Sequence, residues 1–141
     1  MHLPKGFLEN NKENGLIAPW VPQIEVLAHE AVGVFITHFG YGSITEGIAA
    51  GVPMIGRPFF GDQKLNGRLV EAVWKIGVQV KGGIFTKDGV LQSLDLIFSR
   101  DQGMKMKMNV KNLSEVVRKT LAPNGSSIQN FKKLLEVITI A

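Results

Sequence analysis

The segment Val32-Gly33-Val34-Phe35-Ile36-Thr37 is the strongest constraint on how this chain can fold. It is β-rich and apolar at consecutive positions, the pattern of a strand buried on both faces of a parallel sheet. It runs directly into His38-Phe39-Gly40-Tyr41-Gly42. Ser43 to Ala50 then reads as a helix, stopped by Gly51 with Pro53 just beyond. A buried strand, a glycine turn and a helix open a βαβ unit, because parallel strands need a crossover between them.

The same alternation continues. Pro53–Gly56 is a second short strand candidate and Ile76–Val80 a third. Between them Asp62–Trp74 reads as a helix, with Leu65, Leu69, Ala72 and Val73 as its apolar stripe. Three helices close the chain. Lys87–Ser99 is marked by Leu91, Leu94 and Phe98. Gly103–Leu121 is marked by Met106, Val110, Leu113 and Val117. Ser126–Ile138 is marked by Phe131, Leu134, Leu135 and Ile138. Upstream, residues 1–15 read as an irregular leading segment, with turn residues at Pro4, Gly6, Asn10, Asn11 and Gly15. Leu16-Ile17-Ala18 is a short apolar run closed by Pro19, and Gln23–His29 suits a helical turn or two. The class is therefore α/β, a parallel sheet with helices on both faces, occupying residues 16–141.

Composition excludes several alternatives. With 45% apolar and 20% charged residues among 141, the chain is globular rather than disordered. Its apolar runs are short, so no membrane span is expected, and Met1–Gly6 carries no signal-peptide core. The absence of cysteine excludes disulfides and thiolate metal sites and leaves the cytoplasm as the default compartment. A net charge of +4 suits an anionic ligand, but it is too small and dispersed to argue for nucleic acid. The late lysines, such as Lys105, Lys107 and Lys111, read as solvated helix faces.

Open parallel sheets bind ligands beyond the carboxyl ends of their strands. Two loops stand there. In the first, Gly40 and Gly42 allow close backbone approach, and the helix that follows presents free N–H groups suited to phosphate. Ser43 can add a hydroxyl, His38 can donate from the strand end, and Glu46 can accept from ribose hydroxyls. A ligand-free alternative exists: Ser43-Ile44-Thr45-Glu46 also fits a capping box, with His38 a strand-end histidine and the glycines a simple turn. In the second loop, Pro58-Phe59-Phe60-Gly61-Asp62-Gln63, an adjacent carboxylate and carboxamide can hydrogen-bond the vicinal hydroxyls of a sugar. Asp62 can equally be a plain helix N-cap.

Taken together, these residues resemble a known family. Trp20-Val21-Pro22-Gln23, Leu27-Ala28-His29, Thr37-His38-Phe39-Gly40, Ser43, Glu46, Gly51-Val52-Pro53, Pro58 and Asp62-Gln63 are similar to the 44-residue signature box of plant secondary-product glycosyltransferases, which use UDP-sugars. Arg57–Gln63, Asn66-Gly67-Arg68 and Gly82–Lys87 extend the likeness towards flavonoid and anthocyanidin 3-O-glucosyltransferases. The tail Gly125-Ser126-Ser127 with Asn130-Phe131 adds to it.

The resemblance implies the donor-binding, carboxy-terminal Rossmann-like domain of a GT-B glycosyltransferase. It also implies transfer of glucose from UDP-glucose to the 3-hydroxyl of an anthocyanidin or flavonol, with inversion and without a metal. By the same likeness Trp20 stacks on uracil and Gln23 lies in the uridine turn. His38 and Ser43 take the diphosphate, Glu46 the ribose, and Asp62 and Gln63 the sugar, with a terminal glutamine leaning towards glucose. The family commonly reads H-C-G-W-N-S where this chain has His38-Phe39-Gly40-Tyr41-Gly42-Ser43. Phe39 then reads as a packing change and Tyr41 as an aromatic of altered shape near the sugar. Gly42 lacks a side-chain donor to phosphate. The catalytic base is expected in an amino-terminal domain absent from this sequence, so the chain reads as a fragment inactive by itself. The expected partners are a UDP-sugar and a small phenolic or flavonoid acceptor. The alternatives are a non-catalytic nucleotide-sugar-binding module, or a relative acting on another small acceptor.

Overall fold

The computed structural model describes Leu3 and residues 5–139; Met1, His2, Pro4, Ile140 and Ala141 lie outside the described residues. Residues 5–22 are mostly irregular, with one helical turn, α1 (Phe7–Asn10). Then come α2 (Gln23–Leu27), β1 (Phe35–Thr37), α3 (Tyr41–Ala50), β2 (Met54–Gly56), α4 (Gln63–Arg68) and β3 (Gly77–Gln79). Three helices follow, α5 (Lys87–Ile97), α6 (Gln102–Leu121) and α7 (Ser126–Thr139). The strands are parallel in the order β1-β2-β3, with Thr37 beside Gly56 and Gly56 beside Gln79. The carboxyl ends of all three therefore open on the same rim. Leu16–Ala18 adds no strand to this sheet.

Both faces of the sheet are covered, as the alternation of strands and helices predicts. On one face Phe39, Ile44, Ile48, Met54, Val70, Ile76 and Val110 form a buried cluster. On the other, Ile55, Val78, Val80, Ile97 and Met106 do so. β2 supplies Met54 to one and Ile55 to the other, so it is the strand buried on both sides. Among the described strands β1 is the first in the order, and its Ile36 is exposed. At the other end of that order β3 is closed chemically. The Glu71 carboxylate accepts from the backbone N–H and the side-chain amide of Gln79, both at 3.0 Å, occupying an edge group otherwise open to another strand.

Apolar spacing located the helices better than it located their inner faces. Met106 and Val110 of α6 are buried, with Leu113 and Val117 packed beside them, as expected. In the predicted Asp62–Trp74 helix, however, Leu65 is 63% exposed and Val73 is exposed too. The buried residues are Gln63, Asn66, Gly67 and Val70. Close approach to the sheet explains this: a Cβ on Gly67 would stand 3.1 Å from the Phe39 ring. A π-helical turn over Leu69–Val73 then shifts the register and brings Trp74 against the core. In α5 the inner face is Gly89, Ser93 and Ile97, while Leu91 and Phe98 are exposed. The α7 stripe Phe131, Leu134, Leu135 and Ile138 is exposed throughout.

Gly51 ends α3 at φ 74, the left-handed cap its position predicts. Gly56 serves a different need, because any Cβ there would overlap the fully buried ring of Phe39. Gly56→Ala should therefore lower stability by about 1–3 kcal/mol, the usual cost of overpacking, as read from urea unfolding.

Candidate functional site

The loops after β1 and β2 leave the sheet side by side. The Arg57 N–H donates to the Thr37 carbonyl at 3.1 Å, one residue beyond the last paired position. At the end of β1 the chain turns sharply. Phe39 adopts φ 62, which a bulky residue rarely tolerates, and its side chain points into the core while His38 remains exposed. The His38 ring lies across Gly40, where an added Cβ would come within 2.5 Å of Nε2.

Gly40 is the N-cap of α3, and no side chain caps the helix. The first intrahelical bond runs from the Ile44 N–H to the Gly40 carbonyl at 3.0 Å. The N–H groups of Tyr41, Gly42 and Ser43 thus have no partner within the helix. This decides against the capping box. Ser43 lies inside the first turn, not at the cap. Glu46 does not reach back; its Oε2 accepts from Gln23 Nε2 at 2.6 Å. Gln23 begins α2, so this bond ties the Trp20–Gln23 segment to α3. Trp20 is 78% exposed and Tyr41 67% exposed, so neither is a core aromatic.

The second loop carries two side chains with different bonding. Asp62 occupies the N-cap position of α4 without capping it. Its Oδ2 accepts from Asn66 Nδ2 at 2.8 Å. Gln63 is only 5% exposed, and its Oε1 accepts from the backbone N–H groups of Phe59 at 2.8 Å and Phe60 at 3.2 Å. Among the described residues the Gln63 NH2 group makes no hydrogen bond, so it is the end of the amide that can meet a ligand. Arg57 braces the rim from a third side. Its Nε donates to the Gly83 carbonyl at 2.8 Å, and its guanidinium lies 4.3 Å from the centroid of the Phe59 ring.

The structure therefore gathers His38, Gly42, Ser43, Asp62 and Gln63 on the rim above β1 and β2. Glu46 and Gln23 are joined to each other one helical turn along. Free N–H donors at a helix start favour an anion. The neighbouring carboxylate and carboxamide favour hydroxyl groups. The sequence reading quoted Asn66 only within the Asn66-Gly67-Arg68 likeness and gave it no site role, yet its amide binds both the second loop and the first. An open groove of about 720 Å³ near Gly77, Val78 and Met106 lies away from this rim and holds none of these residues. Among the described residues no three acidic or histidine side chains group to hold a metal, and no helix is long and apolar enough to cross a membrane.

Residues 4–121 match the family model described as UDP-glucoronosyl and UDP-glucosyl transferase. An anthocyanidin 3-O-galactosyltransferase of Actinidia chinensis var. chinensis is 55% identical over 98% of this chain and 30% of its own length. Anthocyanidin 3-O-glucosyltransferase 2 of Fragaria ananassa is 53% identical over 94% of this chain and 29% of its own. The crystal structure of a UDP-glucose: anthocyanidin 3-O-glucosyltransferase in complex with UDP superposes with a TM-score of 0.92. It is 43% identical, over 99% of this chain and 31% of that one. The chain thus spans about 30% of the length of the curated relatives it matches. The fold is that of this group of GT-B glycosyltransferases, a parallel α/β sheet with helices on both faces.

Removing the Gln63 carboxamide should free the Phe59 and Phe60 amides. Hydrogen exchange at both is expected to rise by roughly fivefold in Gln63→Ala, given about 1 kcal/mol for each bond lost. Gln63→Glu keeps an acceptor and should leave exchange slow.

Proposed function

The chain belongs to the UDP-glucoronosyl and UDP-glucosyl transferase family, and from that premise we propose that it is the UDP-sugar-binding part of an anthocyanidin or flavonol 3-O-glucosyltransferase. The observation that carries this reading is the uncapped amino terminus of α3, with His38 lying over it and Asp62 and Gln63 at the neighbouring strand end. The diphosphate lies on the N–H groups of Gly42 and Ser43, with His38 donating from the strand end. Glu46 takes the ribose hydroxyls, held ready by Gln23. Trp20 offers an exposed face to the uracil. Asp62 accepts from sugar hydroxyls, and Gln63 donates to one through the NH2 that its loop bonds leave free. Tyr41 stands at the helix start beside the sugar.

The reaction in the whole enzyme is a displacement. A base removes the proton from the acceptor hydroxyl and that oxygen attacks the anomeric carbon. The bond to the diphosphate oxygen breaks with inversion, and UDP leaves. His38 and the start of α3 meet the charge that develops on the departing diphosphate, which is the reason this reading assigns no metal. The base is expected outside this chain. Among the described histidines, His29 accepts from the Ala31 N–H at 3.2 Å and His38 is committed to the phosphate. The acceptor is a small phenolic, by analogy with the anthocyanidin enzymes it resembles. Glucose is preferred over galactose on the strength of Gln63. The compartment assigned is the cytoplasm, on the ground of a cysteine-free chain.

Calorimetric titration with UDP-glucose, UDP-galactose and UDP tests the reading. Binding that weakens sharply in Glu46→Ala is the expected result, with UDP-glucose held more tightly than UDP-galactose. Failure of the folded chain to bind any of the three sinks the donor site.

Gly42 gives a separate test. A Cβ built there meets nothing within 4 Å, and its φ is an ordinary one. Gly42→Asn therefore fits, restores a side-chain donor at the phosphate and should tighten UDP binding about tenfold. That corresponds to the lower end of the range for a hydrogen bond to a charged group.

A further inference from the structure

Asn66 is 5% exposed and lies on the inner face of α4. Its side-chain nitrogen makes two hydrogen bonds, to the Phe39 carbonyl at 3.0 Å and to Asp62 Oδ2 at 2.8 Å. The two partners belong to different loops. Phe39 is the turn residue directly before the N-cap of α3, and Asp62 is the carboxylate at the end of the second loop. An amide nitrogen carries two hydrogens, and here each has its own acceptor. The carboxylate has no other described bond, and without Asn66 its rotamer would be set by solvent. The turn and α4 are also pressed together, since Gly67 lies under the Phe39 ring.

We propose that Asn66 is the positioning residue of the donor site, fixing the Asp62 carboxylate at a set distance from the diphosphate-binding start of α3. The nucleotide half of the ligand needs only α3, His38, Glu46 and the Trp20 segment. The sugar half needs Asp62 in place. Asn66 thus governs how much the sugar adds to binding, separately from how tightly the nucleotide is held. The inference rests on the donor-site reading above.

The test is a titration of wild type, Asn66→Ala, Asp62→Ala and the double variant with UDP and with UDP-glucose, folding being checked by thermal melts. Asn66→Ala should weaken UDP-glucose about tenfold while UDP changes less than about threefold, a loss on the scale of one hydrogen bond to a charged group. The double variant should bind UDP-glucose no worse than the weaker single one, because both substitutions remove the same placed carboxylate. Equal losses for the two ligands would show that Asn66 only holds the fold, and unchanged UDP-glucose binding would overturn its role altogether. Additive losses in the double variant would overturn it as well. If wild type binds neither ligand, the donor-site reading itself fails, and the inference with it. If Asn66→Ala does not fold, Asn66→Ser replaces it. Its single hydroxyl donor can serve one acceptor but not both, so the same selective loss is expected and an equal loss overturns the proposal.

Discussion

One buried side chain in an unfavourable backbone conformation organises the rim of this domain. Phe39 holds φ 62 and is fully buried. A bulky residue in the left-handed region costs on the order of 1–3 kcal/mol. Burying a phenylalanine side chain returns a similar amount or more. The ring occupies space that Gly56 and Gly67 leave empty, so two distant glycines exist in part to accommodate it. Once the chain turns inward at Phe39, His38 remains outside and Gly40 begins α3 without a capping side chain. The open helix terminus is thus a consequence of the same packing that fills the core.

The second loop is built by amides rather than by hydrophobic contact. Gln63 and Asn66 lie on the face of α4 that turns to the sheet, where apolar residues are usual. Each satisfies backbone groups that the turns leave unpaired: the Phe59 and Phe60 N–H groups in one case, the Phe39 carbonyl in the other. Buried polar side chains are tolerated when their hydrogen bonds are made, and among the described residues no buried side-chain nitrogen or oxygen lacks a partner. The polar side of the helix therefore faces inward while Leu65 faces water. A pattern rule that seeks an apolar inner stripe reads this helix the wrong way round.

Much of the architecture was legible before the structure. The alternation of apolar runs with helical spacing fixes three parallel strands and their crossovers. Gly51 marks the end of α3, and the loops after Thr37 and Gly56 are the ones that open on the rim. The α6 stripe was readable because Met106 and Val110 are buried and Leu113 and Val117 pack beside them in a long regular helix. The exposure of Phe131, Leu134, Leu135 and Ile138 was not readable, since periodicity reports an amphipathic face without reporting what covers it.

The sequence by itself determined the elements, the glycine turn and the residue types at the two strand ends, because these depend on local conformational preference and on spacing along the chain. Tertiary structure alone decided how those side chains are used. It showed that Ser43 and Glu46 do not close a capping box, since Glu46 bonds instead to Gln23 from another helix. It joined Asn66 to Phe39 across 27 residues and left the Gln63 NH2 as the free end of its amide. The physical reason is that a hydrogen-bond partner is chosen by which backbone comes within 3 Å or so in the folded chain. Here that approach is set by the burial of Phe39 against Gly56 and Gly67, contacts that only the closed fold can make.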